Sequence, residues 1–321
     1  MRHRYNGRFG KSPRRGLTLV EMLFAIAILL AGMVGIASVL GVAGRNAARS
    51  QTLAESQAVA NNALNTFYAY EMNRISNWDP PFAVPANGGV CIDPLGHHVY
   101  RPEFGNITID IRRAWLKTGN GVTVSPKMAE YLFSGGDEFA IQDDSDSTLP
   151  ITRMFEPLRN GMFGKVSTKQ NYSWFAIIKF RQRVSNRGIL WIVVAKNRDF
   201  TEPDMVVTVR PLSGNNFNNE TGSALRVVIE GVPSGKRLKT GDWIMVSRRR
   251  NNTWADENAF DAWYRITNIS EEVVGPGGSS YTATLSGRNL PKESPTDSIT
   301  YLGTMVNNVV SVHERVVTLM Q

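Results

Sequence analysis

The sequence predicts an α+β protein in which a long N-terminal helix precedes a mainly antiparallel β head. Three observations lead to this fold class. Residues 22–44 form an uncharged apolar run, residues 45–71 continue without proline or glycine, and short β-rich runs fill the chain beyond residue 90. With 321 residues, of which 42% are hydrophobic and 20% charged, the chain has the composition of a folded protein.

The apolar run Met22–Gly44 holds 23 residues without a charge. About 20 such residues span a bilayer core as a helix, so we expect a transmembrane helix over residues 17–44. Residues 1–16 contain no acidic residue and six basic ones: Arg2, Arg4, Arg8, Lys11, Arg14 and Arg15. They carry most of the net charge of +8, and the positive-inside rule places them in the cytoplasm. A charge confined to one terminus argues against a nucleic-acid-binding domain, which spreads its charge over a face.

Residues 45–77 are predicted to continue the helix with an amphipathic pattern. The larger apolar residues Leu53, Ala60, Leu64 and Phe67 recur close to the helical period. We therefore expect one helix from about Thr18 to Ile75. The paired prolines in the linker over residues 78–90 are expected to end it, because they lack backbone donors and clash with a preceding turn.

The head is predicted to contain two β subdomains, residues 91–200 and 201–321. Strands over Tyr172–Arg183 and Gly188–Lys196 flank a short turn and indicate a hairpin. A short helix is expected over Pro126–Phe133. The segment from about Glu202 to Gly287 predicts a small barrel or sandwich. Further β-rich runs are Ile107–Ile111, Met205–Arg210, Leu225–Glu230, Trp243–Val246, Trp263–Ile269, Tyr281–Leu285 and Val309–Leu319.

Glu21 lies near the start of the apolar run, where a carboxylate costs roughly 2.5–3.5 kcal/mol on insertion scales. A plain membrane anchor has no use for such a residue, although a signal anchor with a chance glutamate is the simplest alternative. The segment Gly16-Leu17-Thr18-Leu19-Val20-Glu21, followed by the apolar helix, resembles the prepilin motif of type IV pilins and type II secretion pseudopilins. The later run AIAILLAGMVGI is similar to that of PilV-like minor pilins.

The resemblance implies a minor pilin or pseudopilin, a structural filament subunit and not an enzyme. A prepilin peptidase would cut between Gly16 and Leu17 and methylate the new amine of Leu17. Thr18 and Glu21 would serve subunit assembly, with the carboxylate of Glu21 meeting the amine of a neighbouring subunit. Other pilins or pseudopilins would be the partners. The helix would sit in the inner membrane with the head in the periplasm, and the chain would later enter a pilus or pseudopilus.

Two other binding sites are weighed for the head. Asp143, Asp144 and Asp146 supply the hard oxygen ligands that calcium prefers, although the glycine and terminal glutamate of the twelve-residue calcium loop are missing. No other cofactor is expected. The basic set Arg248, Arg249 and Arg250, read as a loop or turn, would suit contacts to DNA phosphates. Nucleic acid is nevertheless an improbable partner, since arginines at a turn commonly serve solubility alone.

Two alternatives of other functional classes remain open. One is a pilin-anchored adhesin or DNA-binding receptor, and the other is a membrane-anchored envelope enzyme. Cys91 is the single cysteine, so an intramolecular disulfide is excluded and no local signature marks it as a nucleophile. His97 and His98 would point to opposite faces of a strand, which disfavours a shared metal ion.

Overall fold

A computed structural model describes a large part of the chain, and the statements below concern those residues alone. They are residues 18–79, 89–99, 111–116, 129, 132–135, 141–142, 165–166, 172–180, 186–200, 204–212, 224–250, 260–270, 272–275, 278–288 and 299–320. The chain divides into two units, residues 1–52 and 53–321. Helix α1 runs through the boundary, so its two parts are treated separately.

The element order confirms the predicted α+β class, with a long helix followed by antiparallel β sheets. The helices are α1 (Leu19–Ala69) and α2 (Pro94–Val99), with a 3-10 helix over Ile75–Asn77. The strands are β1 (Trp78–Asp79), β2 (Gly89–Ile92), β3 (Ile111–Leu116), β4 (Ser134–Gly135), β5 (Ile141–Gln142), β6 (Lys165–Val166), β7 (Tyr172–Phe180), β8 (Arg187–Lys196), β9 (Met205–Pro211), β10 (Ala224–Val232), β11 (Trp243–Arg250), β12 (Phe260–Ile269), β13 (Val273–Gly275), β14 (Gly278–Gly287), β15 (Ile299–Met305) and β16 (Val309–Thr318).

Helix α1 ends at Ala69, earlier than the predicted limit near Ile75. Glu71 takes a left-handed conformation with φ of 49°. The N–H of Met72 donates to the carbonyl of Phe67 at 2.9 Å, and the N–H of Glu71 donates to that of Tyr68 at 3.1 Å. This bonding pattern is the Schellman motif, completed by burial of both Phe67 and Met72. The helix therefore ends through a local cap, not at the prolines that the sequence suggested.

The first sheet has the strand order β1-β3-β2-β7-β8-β16, with β4 also paired to β7. All its pairings are antiparallel except β2 with β3. The predicted hairpin is confirmed as β7 and β8, which pair from Tyr172 with Lys196 to Phe180 with Gly188. Of the short helix predicted over Pro126–Phe133, the described residues Ala129, Leu132 and Phe133 are helical. Most of Ile107–Ile111 lies outside the described residues.

One face of this sheet packs against residues 53–69 of α1, the head portion of the helix. Apolar and small helix residues meet the even-numbered side chains of β7 and β8, and the core includes Val59, Ala60, Ala63, Phe67, Trp174, Ala176, Ile178, Leu190, Ile192 and Val194. The hydroxyl of Tyr172 donates to Oε2 of Glu55 at 2.7 Å, which fixes the helix against β7. Burial, followed by the Glu55 carboxylate, raises the pKa of Tyr172, so this phenol stays protonated and keeps donating at neutral pH.

The second β subdomain is a closed barrel, the first of the two predicted alternatives. Its circuit is β9-β10-β14-β12-β11-β15 and back to β9, with every pairing antiparallel, and β13 pairs with β14. The barrel interior is filled by apolar and aromatic side chains such as Ile244 and Tyr264. Gly303 faces this interior, where an added Cβ would lie 2.5 Å from Cδ1 of Ile244. A larger residue would therefore overpack the barrel.

Strand β16 (Val309–Thr318) belongs to the first sheet and not to the barrel. It follows the barrel in the chain but pairs antiparallel with β8 of the first sheet, from Val309 with Ala195 to Thr318 with Arg187. The barrel is therefore inserted between two neighbouring strands of the first sheet. Strand β15 was not among the predicted β-rich runs, yet it closes the barrel between β9 and β11.

The second face of the first sheet packs against the outer wall of the barrel. Phe175, Ile177, Trp191 and Val193 from β7 and β8 meet barrel and flanking residues that include Met245, Trp263 and Val306. At this interface Nζ of Lys179 lies 2.5 Å from Oδ2 of Asp261, and each side chain is 9% exposed. A second buried pair joins Arg198 to Asp93 through two hydrogen bonds of 2.7 and 3.0 Å.

Replacing Asp261 with Asn should destabilise the head by about 3–5 kcal/mol, because the buried ammonium of Lys179 would lose the carboxylate charge of Asp261. The free energy of unfolding would be measured on the full chain in detergent micelles by denaturant titration followed through tryptophan fluorescence. A double replacement, Lys179→Met with Asp261→Leu, should restore most of this loss, because two apolar side chains leave no charge uncompensated.

The matched control for that prediction is an exposed ion pair of the same barrel. Arg210 and Glu230 lie 3.2 Å apart with side chains 65% and 38% exposed. Replacing Glu230 with Gln should cost about 1 kcal/mol or less. Equal losses in Asp261→Asn and Glu230→Gln would contradict the structural importance of the Lys179–Asp261 pair.

Candidate functional site at the start of the N-terminal helix

The site that the sequence analysis singled out lies at the first turn of α1. Leu19 is the first helical residue, and Thr18 directly precedes it. Glu21 is the acidic residue of the first turn, where the N-terminal end of a helix favours negative charge. Gly16 and Leu17, which flank the predicted cut, lie outside the described residues.

Thr18 and Glu21 form a reciprocal set of hydrogen bonds. The N–H and the hydroxyl of Thr18 donate to Oε2 of Glu21 at 3.0 and 3.1 Å. The N–H of Glu21 donates back to Oγ1 of Thr18 at 3.3 Å. This is a capping box, in which a Thr at the cap and a Glu three residues later satisfy backbone donors that the helix leaves unpaired.

The capping box was visible in the sequence but was not recognised there. The spacing Thr-x-x-Glu just before an apolar run is the signature of such a box. The sequence analysis assigned both residues to subunit assembly from the resemblance. The hydrogen bonds give Thr18 an additional local role, since it holds the carboxylate of Glu21 within its own chain.

The first part of α1, as far as Gln51, is a largely apolar helix with exposed side chains. Every side chain from Thr18 to Gln51 is exposed, including Leu19 at 77% and Val34 at 70%. Among the described residues, α1 is the one helix long and apolar enough to cross a membrane, with a mean hydropathy of 2.6 in its most apolar window. Signal sequences and core helices of soluble proteins can also meet this criterion, but a core helix would be buried.

Four glycines lie in this part of the helix. A Cβ added at Gly32, Gly35, Gly41 or Gly44 would meet no atom of the described residues within 4 Å beyond the local helix backbone. Glycine in a helix interior costs roughly 1 kcal/mol relative to alanine. In membrane helices, small residues allow close approach of a neighbouring helix, and glycine is also generally more frequent there.

The other predicted sites are placed as follows. Asp143, Asp144 and Asp146 lie outside the described residues, so calcium binding there stays a prediction. Among the residues that are described, no group of three or more His, Cys, Asp and Glu side chains is arranged to hold a metal ion.

The three arginines of the proposed phosphate patch are on a strand, so their placement in a loop or turn was wrong. Arg248, Arg249 and Arg250 belong to β11 and pair with Tyr301, Thr300 and Ile299 of β15. Arg248 is 4% exposed, because its position on the strand faces the barrel interior. Its guanidinium is therefore withdrawn from the predicted patch. DNA binding by this segment remains an untested prediction.

The residues considered for an enzyme lie on β2, α2 and β16. Cys91 on β2 is fully buried between the first sheet and the barrel. His97 and His98 lie in helix α2, which corrects their expected position on a strand. On β16, Nε2 of His313 lies 3.0 Å from Oγ of Ser311. Burial and the nearby Arg315 lower the pKa of His313, so it is neutral at pH 7.

The comparisons with known proteins concern the N-terminal region. Residues 11–37 match the prokaryotic N-terminal methylation motif. The match spans the predicted cut between Gly16 and Leu17, the Thr18–Glu21 capping box and the first part of the apolar helix. No curated protein and no solved structure matches the chain. The chain therefore carries the prokaryotic N-terminal methylation motif at the start of an exposed apolar helix, which is consistent with the type IV prepilin and pseudopilin family.

Proposed function

We propose that this chain is a minor pilin or pseudopilin, a structural subunit of a type IV pilus or of a type II secretion-like filament. The observation that carries the proposal is the coincidence of three features within residues 11–37. These features are the methylation motif, the carboxylate of Glu21 and the start of an apolar helix whose large side chains are exposed. A structural subunit, not an enzyme, is the role that this combination favours.

The exposed surface of this helix is covered first by lipid and later by the helices of other subunits. The large apolar side chains from Leu19 to Val42 are more than half exposed, and a contiguous apolar surface of this length requires a cover. Lipid covers it while the subunit waits in the inner membrane with its head in the periplasm. The helices of other pilins or pseudopilins cover it after the subunit enters the filament, and the glycines allow these helices to approach closely.

Glu21 supports the step between these stages. A carboxylate among apolar side chains is costly, and an opposite charge brought to it in the same environment offsets part of that cost. Cleavage between Gly16 and Leu17 by a prepilin peptidase creates such a charge, the α-amine of Leu17, which methylation leaves cationic. The pair formed between Glu21 of one subunit and the amine of its neighbour sets the axial register of the two helices.

The first test of the proposal is the N-terminus of the mature chain. The protein purified from the membranes of cells that express the full chain with its filament system should begin at Leu17 and carry one methyl group on its amine. Mass spectrometry of the intact chain and of its N-terminal peptide measures both changes. The Gly16→Val variant should remain uncut, since a branched side chain would occupy the position beside the scissile bond.

The outcome that contradicts processing is equally direct. A purified chain that retains Met1 alongside a processed pilin from the same cells, or a cut downstream of residue 40, would rule out the prepilin route. Either result would leave a head tethered by a signal anchor or a secreted head.

The second test concerns the charge of Glu21. Glu21→Gln keeps the shape and the hydrogen-bonding oxygen of the side chain but removes its charge. Incorporation into filaments should therefore fall at least about tenfold, because the neighbouring amine would be left without its partner in an apolar environment. The measurement is the ratio of variant to wild-type chains in sheared filaments from cells that express both, determined by mass spectrometry.

The control is the next carboxylate along α1. Glu55 accepts a hydrogen bond from Tyr172 within the head, and Glu55→Gln retains an oxygen that can accept it. This variant should be incorporated like the wild type. If Glu21→Gln is also incorporated like the wild type, the filament proposal is wrong.

A further inference from the structure

Thr18, which directly precedes α1, directs its hydroxyl differently from three hydroxyl residues within the helix. The hydroxyls of Ser38, Thr52 and Ser56 donate to carbonyls three or four residues earlier in the helix. The hydroxyl of Thr18 instead donates to the carboxylate of Glu21, and the N–H of Thr18 donates to the same oxygen. Two donors from one residue thus meet Oε2 of Glu21.

From this geometry we propose that Thr18 is a positioning residue for Glu21. It holds the carboxylate at the N-terminal end of α1, ready for the amine of a second subunit. This inference rests on the filament function proposed above and adds an element to it. The carboxylate is oriented within its own chain before the neighbouring subunit arrives.

The second carboxylate oxygen makes this role chemically workable. Both donors of Thr18 meet Oε2, and Oε1 of Glu21 accepts no hydrogen bond from the described residues. Oε1 can therefore receive an ammonium group while the capping box stays intact. A carboxylate with two oxygens can accept both sets of donors at once.

Orienting the Glu21 side chain in advance lowers the entropic cost of association with the neighbouring subunit. A free Glu side chain loses conformational entropy when it is fixed. If the capping box has already fixed it, this cost is not met again when the subunits associate. The box also keeps the charged side chain hydrogen-bonded in lipid, where no water is present to solvate it.

A purely structural role for Thr18 makes a different prediction. As the helix cap, Thr18 accepts the N–H of residue 21 whatever side chain stands there. The benefit of the cap should therefore survive the removal of the Glu21 side chain. The benefit of positioning should disappear with it. A double-mutant cycle separates the two roles.

The experiment compares Thr18→Val, Glu21→Ala and the double variant in the full chain, each expressed beside the wild type. Incorporation is the variant-to-wild-type ratio in sheared filaments. Thr18→Val should reduce incorporation about tenfold, the loss expected for hydrogen bonds to a charged group. In the Glu21→Ala background the same change should reduce it less than twofold. Thr18→Ser, which retains the hydroxyl, should stay within about twofold of the wild type.

The outcomes are distinguishable. Wild-type incorporation of Glu21→Ala would defeat the filament proposal itself. If Glu21→Ala is impaired, an equal effect of Thr18→Val in both backgrounds would defeat the positioning role and leave a cap. An uncut Thr18→Val chain, read by mass spectrometry of its N-terminus, would also defeat it and assign Thr18 to peptidase recognition. Where Glu21→Ala chains fall below detection, the contrast between Thr18→Val and Thr18→Ser decides, and failure of Ser to rescue overturns the proposal.

Discussion

The architecture of the head depends on a single hairpin that is buried on both faces. Strands β7 and β8 place Ala176, Ile178 and Ile192 against the head portion of α1, and they place Phe175 and Trp191 against the barrel wall. Because successive side chains of a strand point to opposite faces, a strand covered on both sides must be apolar at nearly every position. The nearly continuous apolar sequences of β7 and β8 follow from this constraint.

The same hairpin explains how a barrel can interrupt a sheet. The chain leaves the sheet after β8, completes the barrel, and returns as β16 to pair with β8. The two ends of the inserted segment are therefore held near one strand. Polar pairs give the layers a defined register. Lys179 meets Asp261 between sheet and barrel, and Arg198 meets Asp93 beside the sheet. Such pairs are costly to break, because the remaining charge would be desolvated.

The first part of α1 differs from this hairpin, because its side chains are exposed and not buried. Its large apolar side chains are exposed, and a Cβ added at its glycines would meet no described atom within 4 Å beyond the local helix backbone. Its acidic residue, Glu21, is held by Thr18 through local hydrogen bonds. A surface of this kind is organised for contacts with other molecules. The methylation motif matched over residues 11–37 lies on this part of the helix, and the proposed assembly role follows from that coincidence.

The long helix, the motif at its start and most strands can be predicted from the amino-acid sequence, because they depend on local periodicity and spacing. The Schellman cap at Glu71 is local as well, but a left-handed glutamate gives no signal as clear as a glycine or a proline. Closure of the barrel by β15, the return of β16 to β8 and the burial of Arg248 were decided only in three dimensions. Each depends on pairing between strands far apart in sequence, and no periodicity within one strand specifies its neighbour.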